Sequence, residues 1–476
     1  AQSDVGEVAF ANSGAPAAQP SFRRALALLH NFEYPYAAEA FREAQQLDPD
    51  FAMAYWGEAM THTHPIWFQQ DAEAARAILQ RLGKTPEERF AKVKTERERD
   101  YLRTLDVLYG EGTKAERDFR YADAMAALHK KYPDDVDATA FYALSLLGTA
   151  HEGRDFATYM RAAALLEEVF PANQSHPGVL HYLIHSYDDP VHAPLGMRAA
   201  RLHGAVAPNA GHALHMTSHI FIAMAMWDDV VDANRRAIEV VNRQRATRGR
   251  GPANCGHYPT WLHYAYLQQN RTDEARKALD ACRDSAFASM AQRRDVEDYA
   301  IMRAYHVASG QPLTAADNVK VPDGMDYAQA RFTIAYGDAL AAAACNDADA
   351  LQRAIVQMQS FKKDVFASIA AEDTAANPTQ RVSAEIMLQQ VEALRLIAAG
   401  KRAEALPLLE AAADAERNMP LEFGPPTVPK PAAELYAEQL VAAGRASDAA
   451  EAYQMVFKRT PGRTRSVEGL RQVHQH

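Results

Sequence analysis

An internal repeat of small and apolar residues constrains the fold of this chain more than any other feature of its sequence. Ala37, Phe41, Ala44 and Pro49 follow one another at gaps of four, three and five residues. Three further segments keep all or most of these gaps: Ala275, Leu279 and Cys282; Ala405, Leu409 and Ala412; and Ala449, Tyr453, Val456 and Pro461. A repeated helical pair cannot bury its own apolar face, so such units fold by stacking on their neighbours.

The spacing resembles the second helix of a tetratricopeptide repeat and the proline that follows it. The segments 56–65, 181–190 and 212–221 are similar to a His-rich bacterial branch of that superfamily, for which no activity is settled. The resemblance implies an all-α fold, a tetratricopeptide-type solenoid of helical hairpins wound into a superhelix. It also implies that the first helix of each repeat lines a concave groove.

The predicted layout is an N-terminal arm over residues 1–20 and a continuous α-solenoid over 21–476, with roughly ten helix pairs. The His-rich site lies around residues 177–264. Sustained strand-like alternation is not found, whereas Ala25, Leu28 and Leu29 give a helical stripe. Irregular connections are expected at 84–99, 243–255, 311–326 and 421–431, and the last could be a lid.

Charge and motifs exclude several functions. The 476 residues carry a formal charge of -10, which gives no basic footprint for nucleic acid. The longest apolar run, 220–227, is too short to cross a bilayer, so no membrane span is expected. The sequence lacks a phosphate-binding glycine loop, the H-E-x-x-H zinc motif and a serine nucleophile elbow.

The three cysteines offer no paired spacing for a thiolate metal site. Cys255 precedes a first helix and Cys282 lies toward the end of its partner, so antiparallel pairing permits a disulfide between them, with Cys345 left free. The chain opens Ala1-Gln2-Ser3, which suits cleavage of a signal peptide. A periplasmic or secreted protein is therefore expected.

The histidines are strongly clustered: eight of 18 lie between His176 and His219. Aligning Pro208 with the repeat-closing proline starts one unit at Pro177 and the next at Gly211, and Ala275 starts a third at Gly256. By the resemblance, these frames turn the following residues toward the groove: His181, His185, Asp188, Asp189, His212, His215, His219 and His257. His64 joins them from the frame that begins at Ala52, whereas His62 is expected to pack between helices.

Helical geometry supports the same grouping without the family. At about 100° per residue, His181, His185 and Asp188 share one stripe, as do His212, His215 and His219. Imidazoles four residues apart can converge on one ion, and a neighbouring carboxylate can bind the ion or orient a ring. The other histidines are interpreted as structural or surface groups: His30, His129, His151, His176, His192, His203, His263, His306, His474 and His476.

The sequence therefore predicts a metal-dependent enzyme with copper or zinc at the His cluster, and two ions if all the imidazoles are used. Met60, Met216 and Met224 near these helices favour copper-type redox chemistry, although methionines also fill cores. With zinc, Asp188 or Asp189 would act as the base of a hydrolase. The alternatives are a scaffold that binds a peptide or small molecule in the groove, and a protein of metal storage or delivery.

Overall fold

The computed structural model describes residues 4–288, 292–371 and 377–475, which form an almost entirely helical chain. Its α-helices, numbered in chain order, are α1 Gln19–His30, α2 Tyr34–Leu47, α3 Ala52–Met60, α4 Ala72–Leu82, α5 Pro86–Ala91, α6 Glu96–Leu108, α7 Lys114–Lys131, α8 Val136–Leu147, α9 Phe156–Val169, α10 Pro177–Tyr187, α11 Ala193–Val206, α12 Gly211–Ala223, α13 Trp227–Ala246, α14 His257–Gln268, α15 Thr272–Ala286, α16 Arg293–Ala308, α17 Ala328–Ala344, α18 Ala348–Ala371, α19 Asn377–Ala398, α20 Arg402–Asn418, α21 Ala432–Ala442, α22 Ala446–Phe457 and α23 Thr464–Val473.

Short elements interrupt the helices at a few places. Single 3-10 turns lie at Pro16–Ala18, Pro65–Trp67, Phe170–Ala172, Ala315–Asp317 and Met325–Tyr327. Two-residue strands, β1 Thr63–His64 and β2 Gln69–Gln70, form an antiparallel hairpin in which Thr63 faces Gln70. None of the helices in the described residues is both long and apolar enough to span a membrane.

The predicted all-α, helical-repeat fold class is confirmed, because the described residues are almost entirely helical and consecutive helices pack against each other along the chain. The four repeat matches all fall on second helices, namely α2, α15, α20 and α22. Their small anchor residues, Ala37, Ala275, Ala405 and Ala449, have no solvent-exposed surface. A larger side chain at these positions would push the paired helices apart, which explains why the repeat keeps alanine there.

Two compact units make up the chain. The first unit comprises Ala1–Asp188 and His192–Ile220, and the second comprises Asp189–Val191 and Phe221–His476. The single continuous solenoid predicted from residue 21 stays a prediction. In the first unit, the segment before α1 packs into the core through Phe10, whose ring contacts those of Phe22, Trp56 and Tyr101.

The second unit has its own apolar core, which includes Phe332, Met358 and Leu409 on α17, α18 and α20. A buried ion pair joins Arg463 to Glu434, with Nε and a terminal nitrogen of the guanidinium donating to the two carboxylate oxygens at 2.7 and 2.9 Å. In the same unit, Cys255 and Cys282 form a disulfide with their Cα atoms 4.7 Å apart, and Cys345 is free.

The irregular connections agree in part with the sequence. No α-helix lies within 311–326 or 421–431, and α13 ends at Ala246, so the predicted connection at 243–255 begins inside that helix. Residues 84–99 differ more, because they contain α5 and the start of α6. Thr85 caps α5 by accepting a hydrogen bond from the Glu88 N–H, and Pro86 follows at the first helical position, where its missing N–H costs nothing.

Candidate metal centre

Helix α10 carries the first two histidines of the candidate site. It begins at Pro177, as the repeat frame predicts, and the His176 side chain caps it by accepting the Val179 N–H. Every residue of α10 is buried, so His181 and His185 face the interior of the first unit. Their ring centroids lie 4.9 Å apart, which is the expected spacing of imidazoles four residues apart on one helix face.

Helix α12 carries the other three. It begins at Gly211, again as the frame predicts, and places His212, His215 and His219 along one face. Successive ring centroids along this stripe are 6.0 and 5.0 Å apart.

The two stripes meet to form a closed ring of five imidazoles, hereafter the imidazole cluster (His181, His185, His212, His215 and His219). Across the helices, the centroids of His181 and His212 are 5.1 Å apart, and those of His185 and His219 are 5.4 Å apart. Potential ligand atoms of His181, His185 and His212 all lie within 4.8 Å of one another, as do those of His185, Asp188 and His219. Both sets are close enough to hold a metal ion.

Asp188 orients two of the imidazoles. Its Oδ2 accepts hydrogen bonds from Nδ1 of His185 at 3.1 Å and from Nδ1 of His219 at 2.8 Å, and its Oδ1 accepts one from Arg154. Burial raises the pKa of Asp188, but Arg154 and the two imidazoles lower it by more, so the pKa lies well below its usual range. An ionised carboxylate held by three donors is a poor proton acceptor, and this geometry gives Asp188 an orienting role in place of the predicted base.

The hydrogen bonds of the cluster fix which ring nitrogen carries the proton. A carboxylate or carbonyl oxygen can only accept, so His185 and His219 carry their protons on Nδ1, and so does His181, whose Nδ1 donates to the His30 carbonyl at 2.6 Å. The Nε2 atom of each ring then keeps its lone pair. Nε2 of His181 is buried and has no hydrogen-bond partner among the described residues, which makes it available to an ion.

His215 brings a further Nε2 into the cluster. Its Nε2 lies 3.1 Å from Nε2 of His219, while its Nδ1 lies 3.5 Å from the Ser218 hydroxyl oxygen. That hydroxyl donates to the His215 carbonyl, so its oxygen is free to accept from Nδ1. Two nitrogen ligands on one tetrahedral zinc ion would be separated by roughly 3.3 Å, given a bond length of about 2.0 Å.

Burial lowers the pKa of three imidazoles of the cluster. The pKa values of His181 and His212 lie well below the ordinary value, and nearby imidazoles lower both further. Burial also lowers the pKa of His219 to about 4, although Asp188 opposes the shift. Neutral imidazole is the form that binds metal, so these three rings are in their binding form at pH 7.

The cluster is not the open groove surface that the sequence predicts, because all five imidazoles are buried and the most exposed, His212, shows 6% of its surface. In the first unit, two aromatic side chains cover them. The ring centroid of Phe32 lies 4.2 Å from that of His181 and within 5.8 Å of those of His185 and His212. The ring centroids of Trp67 and His212 are 5.9 Å apart. The repeat frame gives the direction of a side chain but says nothing of distant segments that pack over it.

The remaining predicted site residues are His64, His257 and Asp189. The His64 ring stacks on Tyr34 at 4.0 Å, and its Nε2 donates to the Thr61 carbonyl, so it lies outside the possible ligand groups of the first unit. His257 and Asp189 belong to the second unit, where His257 begins α14 and Asp189 accepts the Val191 N–H at 2.9 Å. Their roles stay predictions. Met60 packs in the core against Tyr121, so it gives no support to a sulfur ligand.

A second buried group in the first unit, His30, Asp137 and His176, is also compact enough for an ion. Asp137 Oδ1 lies 2.9 Å from Nε2 of His30 and 3.2 Å from Nε2 of His176. Nδ1 of His176 accepts the Val179 N–H, so the proton of this neutral ring sits on Nε2, and that atom has no lone pair for a metal. The group is therefore a satisfied hydrogen-bond network, in keeping with the structural role expected of His30 and His176.

Sequence reasoning missed Arg154 and Phe32. Arg154 lies in the connection before α9, 34 residues from the carboxylate that it holds, and Phe32 lies in the first interhelical turn. The repeat pattern describes how the helices pack and carries no signal for the contacts of side chains in connections and turns. The left-handed backbone conformation of Phe32, with φ of 57°, was visible only in the structure.

Fold and site together define a helical-repeat protein with a buried cluster of His and Asp side chains that could bind metal. No family model and no curated protein matches the chain. Similar solved structures include Cut9 in the APC/C hetero-tetramer Cut9-Hcn1 (11% identity, 98% of this chain and 78% of that chain, TM-score 0.38) and yeast Tom70 (11%, 96% and 95%, 0.35). The structure of Naa15/Naa10 bound to HypK-THB is also similar (14%, 96% and 64%, 0.31). These likenesses say nothing of what this chain binds.

Proposed function

We propose that this chain is a metalloprotein whose imidazole cluster binds a transition-metal ion through Nε2 atoms. The observation that carries the proposal is which ring nitrogen of each histidine carries the proton. His181, His185 and His219 donate from Nδ1 to fixed oxygens, so the basic lone pair of each neutral ring is on Nε2, the atom that would bind an ion. Nδ1 partners of this kind are the usual support of metal-bound histidine.

The contact between His215 and His219 gives the proposal a direct test. If His215 also carries its proton on Nδ1, two lone pairs meet at 3.1 Å and repel unless a cation lies between them. The metal-free arrangement that competes with this one has the proton on Nε2 of His215, which then donates to His219. The two arrangements differ in the tautomer of His215, which nitrogen NMR of labelled protein measures directly.

The finer proposal is a metalloenzyme with a redox metal, copper in preference to zinc. Imidazole ligands suit both metals. A zinc hydrolase needs a nearby base, and the ionised Asp188 is committed to Arg154, His185 and His219. Redox chemistry at a bound copper ion needs no such base, so the donor set favours an oxidoreductase. Five imidazoles also leave room for two ions.

The alternatives are a non-catalytic scaffold that binds a peptide or small molecule, and metal storage or delivery. A scaffold would offer exposed side chains to its ligand, and burial of the five imidazoles speaks against their direct use in that way. Storage would need ligands that exchange easily, whereas these rings are fixed by hydrogen bonds to Asp188 and the His30 carbonyl.

Elemental analysis tests the proposal most directly, with protein purified without a polyhistidine tag. We expect near-stoichiometric copper or zinc that is lost from a His181→Ala/His185→Ala double variant but retained in His129→Ala, whose ring lies on α7 bonded to Thr139. Metal-free wild type that takes up neither Cu²⁺ nor Zn²⁺ would overturn it. Oxygen consumption by the copper-loaded protein, against ester hydrolysis by the zinc-loaded protein, then tests the finer proposal.

We also propose that the protein is exported to the periplasm or secreted. The support is the Cys255–Cys282 disulfide, because such bonds are rare in reducing compartments. Fractionation of the native host, with the redox state of the two thiols measured in the same fractions, tests this. Recovery in the cytoplasm with both thiols reduced would contradict it.

A further inference from the structure

The turn between α1 and α2 contacts the imidazole cluster, although the turn lies about 150 residues before the cluster in the chain. The His30 carbonyl accepts the proton of His181. The Phe32 ring packs over three imidazoles, and the Glu33 carboxylate accepts the backbone N–H of His212 at 2.9 Å. One short turn therefore contacts both helices that carry the cluster.

The backbone of this turn marks Phe32 as unusual. Eight helix ends in the described residues share one pattern, in which the residue at positive φ donates to the carbonyl three residues back and the next residue donates to the carbonyl five back. The residue at positive φ is Gly249, Gly310, Gly400, Gly444, Asn270, Asn346, Ala225 or Phe32. Glycine and asparagine adopt this conformation readily, and a bulky aromatic residue does not.

A strained aromatic residue at a position that tolerates glycine needs a reason. The structure supplies one, because the Phe32 ring lies 4.2 Å from His181 and stacks on His185 and His212 at 5.8 and 5.7 Å. These three histidines are one of the groups that could hold a metal ion. Phe32 thus occupies space beside all three of these rings.

Glu33 acts on the second helix. The Glu33 side chain is buried, and its carboxylate accepts backbone N–H groups at the start of α12, among them that of His212 at 2.9 Å. A carboxylate at a helix N-terminus satisfies donors that have no partner within the helix and interacts favourably with the helix dipole. Because α12 begins at Gly211, this bond fixes where the stripe of His212, His215 and His219 starts.

We infer that Phe32 and Glu33 are positioning residues of the metal centre: Phe32 keeps water from the ion, and Glu33 sets the register of the helix that supplies three of its ligands. The inference rests on the proposed metal binding. It goes beyond it by assigning function to a turn in which no residue binds the ion.

Co²⁺ is the probe for the test, since its visible absorption reports how many ligands surround it. Metal-free protein is titrated with Co²⁺, and the bound ion is then removed with excess chelator. We expect Phe32→Gly to release Co²⁺ at least about tenfold faster, with an altered visible spectrum as water enters. We expect Glu33→Ala to weaken affinity by about tenfold, and Glu33→Gln, which keeps an acceptor oxygen, to restore most of it.

Matched controls separate positioning from general stability. Asn346→Gly also introduces a glycine at the positive-φ position of a turn of this kind, but in the second unit. Glu98→Gln alters another buried carboxylate of the first unit, which accepts the Ser13 N–H at 2.8 Å. Both controls should leave affinity, release rate and spectrum unchanged. If Phe32→Gly does not fold, as circular dichroism would show, Phe32→Leu carries the same test.

The outcomes are distinct. Wild type that binds Co²⁺ while Phe32→Gly and Glu33→Ala match it in affinity, release rate and spectrum would overturn the positioning role alone. Wild type that binds neither Co²⁺ nor the copper and zinc ions would overturn the metal centre, and the positioning role with it.

Discussion

His219 donates its Nδ1–H to Oδ2 of Asp188 at 2.8 Å, deep inside the first unit. This one contact joins α12 to the residue that follows the last turn of α10. It holds the His219 ring in the tautomer that leaves Nε2 toward the other imidazoles.

Asp188→Asn should weaken metal binding about 10- to 100-fold, because an amide is uncharged and can no longer accept from both imidazoles and Arg154 at once. Isothermal titration with Zn²⁺ measures the change. Asp135→Asn is the control, since Asp135 is another well-buried carboxylate of the first unit that binds Arg97 and Tyr101. Equal affinity in wild type and Asp188→Asn would refute the orienting role.

Replacing His181, His185, His215 or His219 individually by Ala should reduce metal affinity at least about tenfold, because each removes one Nε2 ligand. Competition with a coloured chelator gives the affinities. The reference variant is His129→Ala, whose partner is Thr139 on α8 and not a member of the cluster. A similar loss in His129→Ala would show that the assignment of ligands is wrong.

When a chelator keeps the protein free of metal, its free energy of unfolding should decrease as the pH is lowered, and His203 should contribute to this decrease. His203 is fully buried, both its ring nitrogens lack a partner in the described residues, and burial lowers its pKa to about 3. Its ordinary pKa is 6.5. The folded state therefore disfavours the proton, so this contribution to stability is complete above pH 6.5 and is lost as pH falls from there toward 3.

His203→Leu should make the slope of stability against pH shallower by about 1.4 kcal/mol per pH unit between pH 6 and pH 4, which is the share of one proton. Urea unfolding at pH 7, 5.5 and 4.5 with chelator present measures the slope. His474→Leu, an exposed position near the C-terminus, should keep the wild-type slope. The same slope in wild type and His203→Leu would contradict the assignment.

Reducing the Cys255–Cys282 disulfide should destabilise the second unit by about 2 to 4 kcal/mol, because the bond closes a loop of 27 residues in the unfolded chain. Thermal melts of wild type and Cys255→Ser with and without reductant measure this. Only wild type should respond to reductant, and Cys345→Ser should behave as wild type. In peptide maps without reductant, an alkylated Cys282 would rule out the bond.

The sequence predicted the local features of the site well. The repeat frame placed the starts of α10 and α12 at Pro177 and Gly211 and grouped the five imidazoles on two facing stripes. These features follow from helical periodicity, which is a local property. The same argument explains why Ala37 and Ala449, over 400 residues apart, have identical burial.

The contacts that give the site its chemistry were beyond the sequence. Arg154 reaches Asp188 from a connection, and Phe32 reaches His181 from the first turn. Periodicity describes how the helices of one repeat pack on those of the next. It does not describe side chains in connections, such as Arg154, or a contact between elements more than one repeat apart, such as that of Phe32 with His181. The sequence did not predict that the five imidazoles are buried, since nothing in the repeat indicated the aromatic cover.

The turn between α1 and α2 also changes how the first unit can unfold. In an array whose hairpins touch only their neighbours, the terminal hairpin can peel away while the rest stays folded. Here that hairpin is bonded to α10 through the His30 carbonyl and to α12 through Glu33. Detaching it would uncover the buried histidines, so α1 and α2 should open together with α10 and α12, and an ion in the cluster would be held by the cooperativity of the whole unit.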